Sequence, residues 1–157
     1  MNNAPGKQSA SDLWLPVVAA AYVAWNARDV ASAWLHSPFD RFGWLAALIW
    51  ISPAVRYFAR NRRAVEMGWI WAGVVATLAG SLADLNVLKH AGLALAAAAL
   101  PARNTRPAWA FCLWLASAPC WMPALGWALK SLGPPSTNGV RLALSLFAAA
   151  MLYRKTP

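Results

Sequence analysis

The sequence predicts an all-α protein, a polytopic integral membrane helical bundle of about six short transmembrane helices. Three observations lead there. Apolar stretches rich in Trp, Ala and Leu follow one another over residues 13–152, interrupted only by short joints that carry basic residues or Pro and Gly. Hydrophobic residues make up 60% of the 157 positions and charged ones 12%, which leaves more apolar surface than a soluble domain of this size can cover with polar groups. The basic residues behind the formal net charge of +9 stand at the ends of the apolar runs. Membrane orientation uses them in that way, and the pattern argues against nucleic acid as a partner.

Crossing the roughly 30 Å hydrocarbon layer takes about 20 residues, fewer when flanking side chains snorkel. Six short crossings and their joints therefore use nearly the whole chain. The expected organisation is a disordered cytoplasmic tail over 1–11, a single transmembrane domain over 12–153 and a basic tail over 154–157. The tail carries Asn, Pro, Gly and Ser and buries too little surface to repay ordering.

The first span covers 12–27, with Asp12 able to cap its start. Ala19, Ala20 and Ala21 offer a signal-peptide cleavage site, but the apolar core ahead of them is short and contains Pro16, so the segment is expected to stay as a span. A joint with Arg28, Asp29, His36, Asp40 and Arg41 follows, in which 30–35 can form an interfacial turn of helix. The second span, 42–59, contains Pro53 and should bend there. It runs into Arg56, Arg60, Arg62 and Arg63, the strongest positive mark in the chain.

The third and fourth spans, 67–83 and 85–100, meet tightly around Asp84 and Asn86, either as two crossings or as one re-entrant unit. Arg103 and Arg106 mark the next joint, 101–107. The fifth span, 108–129, carries Pro119 and Pro123 and should kink or break in its second half. Gly133-Pro134-Pro135 makes the joint 130–139 a strong stop, and the last span covers 140–152, followed by Arg154 and Lys155.

Charge sets the orientation. With six spans one side receives Lys7, Arg56, Arg60, Arg62, Arg63, Arg103, Arg106, Arg154 and Lys155, and the other Arg28, Arg41, Lys89, Lys130 and Arg141. Nine against five places both ends in the cytoplasm and the chain in the cytoplasmic (inner) membrane. Trp14, Trp69, Trp71 and Trp109 then fall near cytoplasmic ends, and Trp25, Trp34, Trp44 and Trp127 near the opposite ends, where an indole is favoured. Trp50, Trp114 and Trp121 lie deeper and should pack between helices. Ala72, Ala76 and Gly80 on the third span, with Gly92 and Ala96 on the fourth, predict a tight antiparallel hairpin.

Residues able to carry chemistry are few. No phosphate-cradling glycine loop, zinc-type His-Glu pattern or nucleophile elbow is present, and His36 and His90 are the only histidines, so neither a metal nor a cofactor is expected. Cys112 and Cys120 are eight residues apart in one expected helix. Their rise of about 12 Å exceeds the roughly 7 Å reach of a disulfide, so both are read as free thiols. Asp84, Asn86, Lys89 and His90 form a polar cluster where two spans meet. It reads either as a substrate or proton site or as an interfacial Asp84–Lys89 pair with Asn86 capping the turn. Cys120, between Pro119 and Trp121, needs a base or a positive neighbour to act as a nucleophile, and Arg141 can supply charge.

The run Trp34-Leu35-His36-Ser37-Pro38-Phe39-Asp40-Arg41-Phe42-Gly43-Trp44, with the basic stop at Arg60, Arg62 and Arg63, resembles the first outer joint and second span of the exosortase and archaeosortase family. Leu82-Ala83-Asp84-Leu85-Asn86-Val87-Leu88, Gly92-Leu93-Ala94-Leu95 and Trp114-Leu115-Ala116-Ser117-Ala118-Pro119 are similar to its third-to-fifth-span region. These are membrane-embedded cysteine transpeptidases that process carboxy-terminal sorting tags. The resemblance covers residues 34–123. Asn138-Gly139-Val140-Arg141 is similar to the family's arginine element, which carries Arg141 over as a site residue. The chain departs from the pattern at Cys120, which lacks Ser-Gly neighbours, and in having no late histidine.

The expectation is a truncated, exosortase-like scaffold that is not catalytic by itself, an accessory or degenerate relative that binds other membrane chains or tagged substrates through its helices. Two readings stand beside it: a structural subunit of a larger membrane complex, with tryptophan-rich faces against neighbouring chains or pigments, and a cysteine transpeptidase using Cys120 and Arg141. A carrier lined by Asp84 and His90 is weaker, since no polar stripe or two-fold repeat accompanies them.

Overall fold

The computed structural model describes residues 10–61, 65–101 and 108–155. Among them the chain is all-helical, with eight α-helices: α1 Ala10–Asn26, α2 Asp29–His36, α3 Gly43–Asn61, α4 Met67–Leu82, α5 Asn86–Ala98, α6 Ala108–Ala116, α7 Pro123–Ala128 and α8 Pro134–Lys155. Short 3-10 turns at Ala118–Cys120 and Lys130–Leu132 join the last three. Most of the expected amino-terminal tail, and Arg62, Arg63, Arg103 and Arg106, lie outside the described residues.

Prolines and one strained turn set the breaks. Pro38 follows the end of α2 and disfavours helical geometry at Ser37, whose backbone is extended. α3 runs on through Pro53, because the Ser52 hydroxyl donates 2.9 Å to the Ile49 carbonyl, the acceptor that proline cannot serve. The α4–α5 turn is closed by Asp84 at φ 51 and by a bond of 2.8 Å from the Leu85 amide to the Gly80 carbonyl. Pro119 and Pro123 break the expected fifth span into α6, a 3-10 turn and α7.

The expected joint over 130–139 is corrected. Gly133, at φ 78, makes the turn, and Pro134 opens α8, so Asn138 and Gly139 lie inside a helix of 22 residues. Proline fits a first helical position, where its missing N–H would have had no partner.

No helix among the described residues is long and apolar enough to cross a membrane. α1 and α4 are apolar but have 17 and 16 residues. α3 and α8 are longer, at 19 and 22, but α3 contains Arg56 and α8 contains Ser136, Thr137, Asn138 and Arg141. Helix length and hydropathy therefore do not support the six expected crossings.

Two packing units hold the chain together. In the first, α4 and α5 form the expected hairpin, with α1 laid across both. The expected Gly80, Gly92 and Ala96 lie in the contact, but on α4 the buried Gly73 and Thr77 stand where Ala72 and Ala76 were expected, and Ala72 is exposed. A Cβ on Gly73 would stand 2.6 Å from the Gly92 carbonyl oxygen, and one on Gly80 would stand 2.8 Å from the Lys89 amide, so these backbones touch. Gly73 and Gly80 present no side chain and Thr77 is fully buried between them, so the helices approach closely along this face.

The second unit is α3 and α6 against α8. Its centre is an aromatic stack: the Trp50 and Trp114 rings lie 4.1 Å apart at 7°, and Trp121 tilts against Trp50 at 5.9 Å. All three deep tryptophans are buried. Trp69 and Trp34 are partly buried, Trp69 edge-on to Phe111 at 5.2 Å. Trp14, Trp25, Trp44, Trp71, Trp109 and Trp127 are exposed.

Candidate functional site

Among the described residues, the segment 118–122 draws side-chain donors from two distant parts of the chain. Flanking prolines deprive it of regular helical bonding, so its carbonyls need donors from elsewhere. Three consecutive ones find side chains. The Arg141 Nη1 donates to the Cys120 carbonyl at 2.7 Å and to the Met122 carbonyl at 3.1 Å, and the Trp34 indole donates to the Trp121 carbonyl at 2.9 Å.

Arg141 projects from α8 and is fully buried. Its charge is met by Asp40, whose Oδ1 accepts from Nη2 at 2.5 Å. Asp40 sits in the turn between α2 and α3 and is itself buried. Gly126 on α7 backs the carboxylate so closely that a Cβ there would strike Asp40 Oδ1. One turn before Arg141, Asn138 donates to the Pro38 carbonyl at 3.0 Å and the Pro134 carbonyl at 2.9 Å. The 38–42 turn, α8 and the proline-flanked segment are thus bound at one point. Arg141 Nε, Asn138 Oδ1 and Trp121 Nε1 are buried there with no hydrogen-bond partner.

The two cysteine-chemistry candidates therefore meet, but through the wrong atoms for nucleophilic catalysis. Arg141 engages the Cys120 backbone carbonyl, and the Cys120 side chain is fully buried in the apolar core. Neither histidine is bonded to it. His36 is exposed and hydrogen-bonded through Nδ1 to Ser32 in its own helix, and His90 pairs with Asp29. The Cys120 thiol is shut off from the surface and packed in the core cluster with Trp50, Trp114 and Trp121.

The polar cluster divides in two. Asp84, almost wholly exposed, pairs with Lys89 at 3.7 Å, and Lys89 Nζ donates to Asn86 Oδ1 at 3.1 Å. Asn86 is the first residue of α5 rather than its cap, since the N-cap position is Leu85 and carries no side-chain bond. His90 is turned away from this group: it is buried, and its Nε2 lies 3.0 Å from Asp29 Oδ2. Among the described residues no three His, Cys, Asp or Glu side chains gather as a metal site requires.

Asp40 and Asp29 are the partners that sequence reasoning left as ordinary joint charges. One signal pointed to them: the chain has only five acidic residues, and a buried cation needs one of them.

No protein-family model, curated protein or solved structure matches the chain.

Proposed function

We propose that this chain is an integral membrane scaffold, exosortase-like in its first half and not catalytic by itself, which holds other membrane chains or tagged substrates through its helix faces. The observation that carries the reading is the distribution of exposed apolar side chains. Trp14, Val17 and Val18 on α1, Leu48 and Val55 on α3, Trp71 and Val75 on α4, and Leu146 and Phe147 on α8 all stand on the surface. A monomer in water rarely exposes contiguous apolar surface on this scale, whereas lipid or a partner helix covers it without cost.

Short and broken helices are compatible with a bilayer when their irregular backbone is satisfied inside the protein. The donors on Cys120, Trp121 and Met122 do that for the break between α6 and α7. The burial of Cys120, and the use of Arg141 to hold carbonyls, support a scaffold over a transpeptidase. In this reading both ends face the cytoplasm, as the arginine distribution favours.

Fractionation and purification test it. The chain should stay with carbonate-washed membranes and bring down membrane proteins when purified in mild detergent, and Cys120→Ala should leave processing of any co-purified tagged protein unchanged. Recovery in the aqueous fraction without detergent would end the membrane reading. Loss of processing in Cys120→Ala would restore the enzyme. A stoichiometric complex without tagged proteins would favour a structural subunit.

A further inference from the structure

Two cavities meet where the end of α1 and the starts of α2 and α5 come together, and Asp29 and Asn86 line both. The smaller, about 240 Å³, is polar, with Asn26, Arg28 and Lys89 in its wall. Trp25 completes it, and the Arg28 guanidinium stacks over that ring at 4.7 Å from its centre. The other, about 380 Å³, adds an apolar wall of Val87, Ala124 and Trp127, with His90 behind Asp29. Joined, the two reach the range of roughly 300–1,000 Å³ typical of small-molecule sites.

The charges in this cleft are arranged for a ligand that carries both signs. Asp29 lines both cavities with its side chain 42% exposed, and the hydrogen bond with His90 at Oδ2 leaves the carboxylate with acceptor capacity on that lining. Arg28 and Lys89 stand on the same lining as cations. The start of α5 at Asn86, which lacks a side-chain cap, adds the positive end of a helix dipole. The apolar wall begins beside them.

We infer that this cleft holds the headgroup of an aminophospholipid, an assignment that rests on the membrane reading above. The primary ammonium donates to Asp29, the phosphate meets Arg28 and Lys89, and the acyl chains leave along Val87, Ala124 and Trp127. The exposed Trp25 and Trp127 at this end belong at headgroup depth. Selectivity follows from the carboxylate. A choline headgroup has no N–H to give it, and a glycerol headgroup brings the phosphate charge without the ammonium that offsets Asp29.

Native mass spectrometry of the full chain in mild detergent tests this, with phosphatidylethanolamine, phosphatidylcholine and phosphatidylglycerol of equal chain length added in turn. Ethanolamine lipid should be retained about tenfold better than choline lipid, the size of one charge-assisted hydrogen bond. Asp29→Asn should erase that preference. Arg28→Ala, at an exposed position, should weaken retention of every phospholipid without lowering the melting temperature. Equal retention of the three lipids, or an unchanged preference in Asp29→Asn, would overturn the assignment. So would displacement of the lipid by millimolar inorganic phosphate, which would mean that the cleft reads phosphate alone. A chain that pellets with washed membranes yet shows no headgroup preference loses the cleft assignment and keeps the membrane reading. A chain in the aqueous fraction loses both.

Discussion

Asp40 and Arg141, 101 residues apart in sequence, form an ion pair at 2.5 Å with both side chains shut off from the surface. The same guanidinium also closes two carbonyls of the proline-flanked segment, so one side chain joins three parts of the chain. Burying two charges costs several kcal/mol in desolvation, and only close pairing with further hydrogen bonds offsets it.

Removing one partner should therefore hurt more than removing both. Asp40→Asn or Arg141→Met is expected to destabilise by about 3–5 kcal/mol, since each leaves an uncompensated buried group, while Asp40→Leu combined with Arg141→Met costs less than the sum of the single changes. Thermal unfolding in detergent reads this directly. Single variants that melt like the parent would show that the pair contributes nothing.

Trp50 and Trp114 give a second coupled site. Each indole donates to the other's backbone carbonyl, at 2.9 and 2.8 Å, beneath a parallel ring stack. The Trp114 carbonyl is available because α6 ends two residues later. Replacing either with Phe removes one indole donor, at about 0.5–1.5 kcal/mol; the Trp114 carbonyl keeps the Ser117 hydroxyl as a donor at 2.6 Å. A double-mutant cycle should show coupling of about 0.5–3 kcal/mol, and strict additivity would argue against the reciprocal arrangement.

The α4–α5 contact makes a positional prediction. Gly80→Leu and Gly73→Ala should lower the melting temperature, because a side chain at either point meets backbone of the facing helix. Ala72→Leu should be tolerated, since Ala72 faces outward. A Gly73→Ala variant that melts like the parent beside a destabilised Ala72→Leu would mean that the hairpin packs through 72, 76 and 80.

Thiol chemistry separates the two cysteines. Cys112 is exposed and Cys120 buried, both unpaired. Maleimide should modify Cys112 in the folded protein and reach Cys120 only after denaturation, by mass counting. Labelling of native Cys120 at the rate of Cys112 would reopen the nucleophile reading.

Composition and proline placement settled the helical class, the α4–α5 hairpin and the breaks at Pro119 and Pro123, because helix propensity and a missing N–H act within a few residues of themselves. The burial of Trp50, Trp114 and Trp121 was legible from their distance to the charged joints. The start of α8 was misread, since Gly-Pro-Pro ends one helix as readily as it begins another, and only the packing of Arg141 and Asn138 against the 38–42 turn distinguishes the two. Which carboxylate meets which cation also lay outside local rules. Arg141 found Asp40, and His90 found Asp29, because each partner is brought near by the folding of helices far apart in the chain. Local chemistry chose the elements, and burial of charge, a global quantity, chose their neighbours.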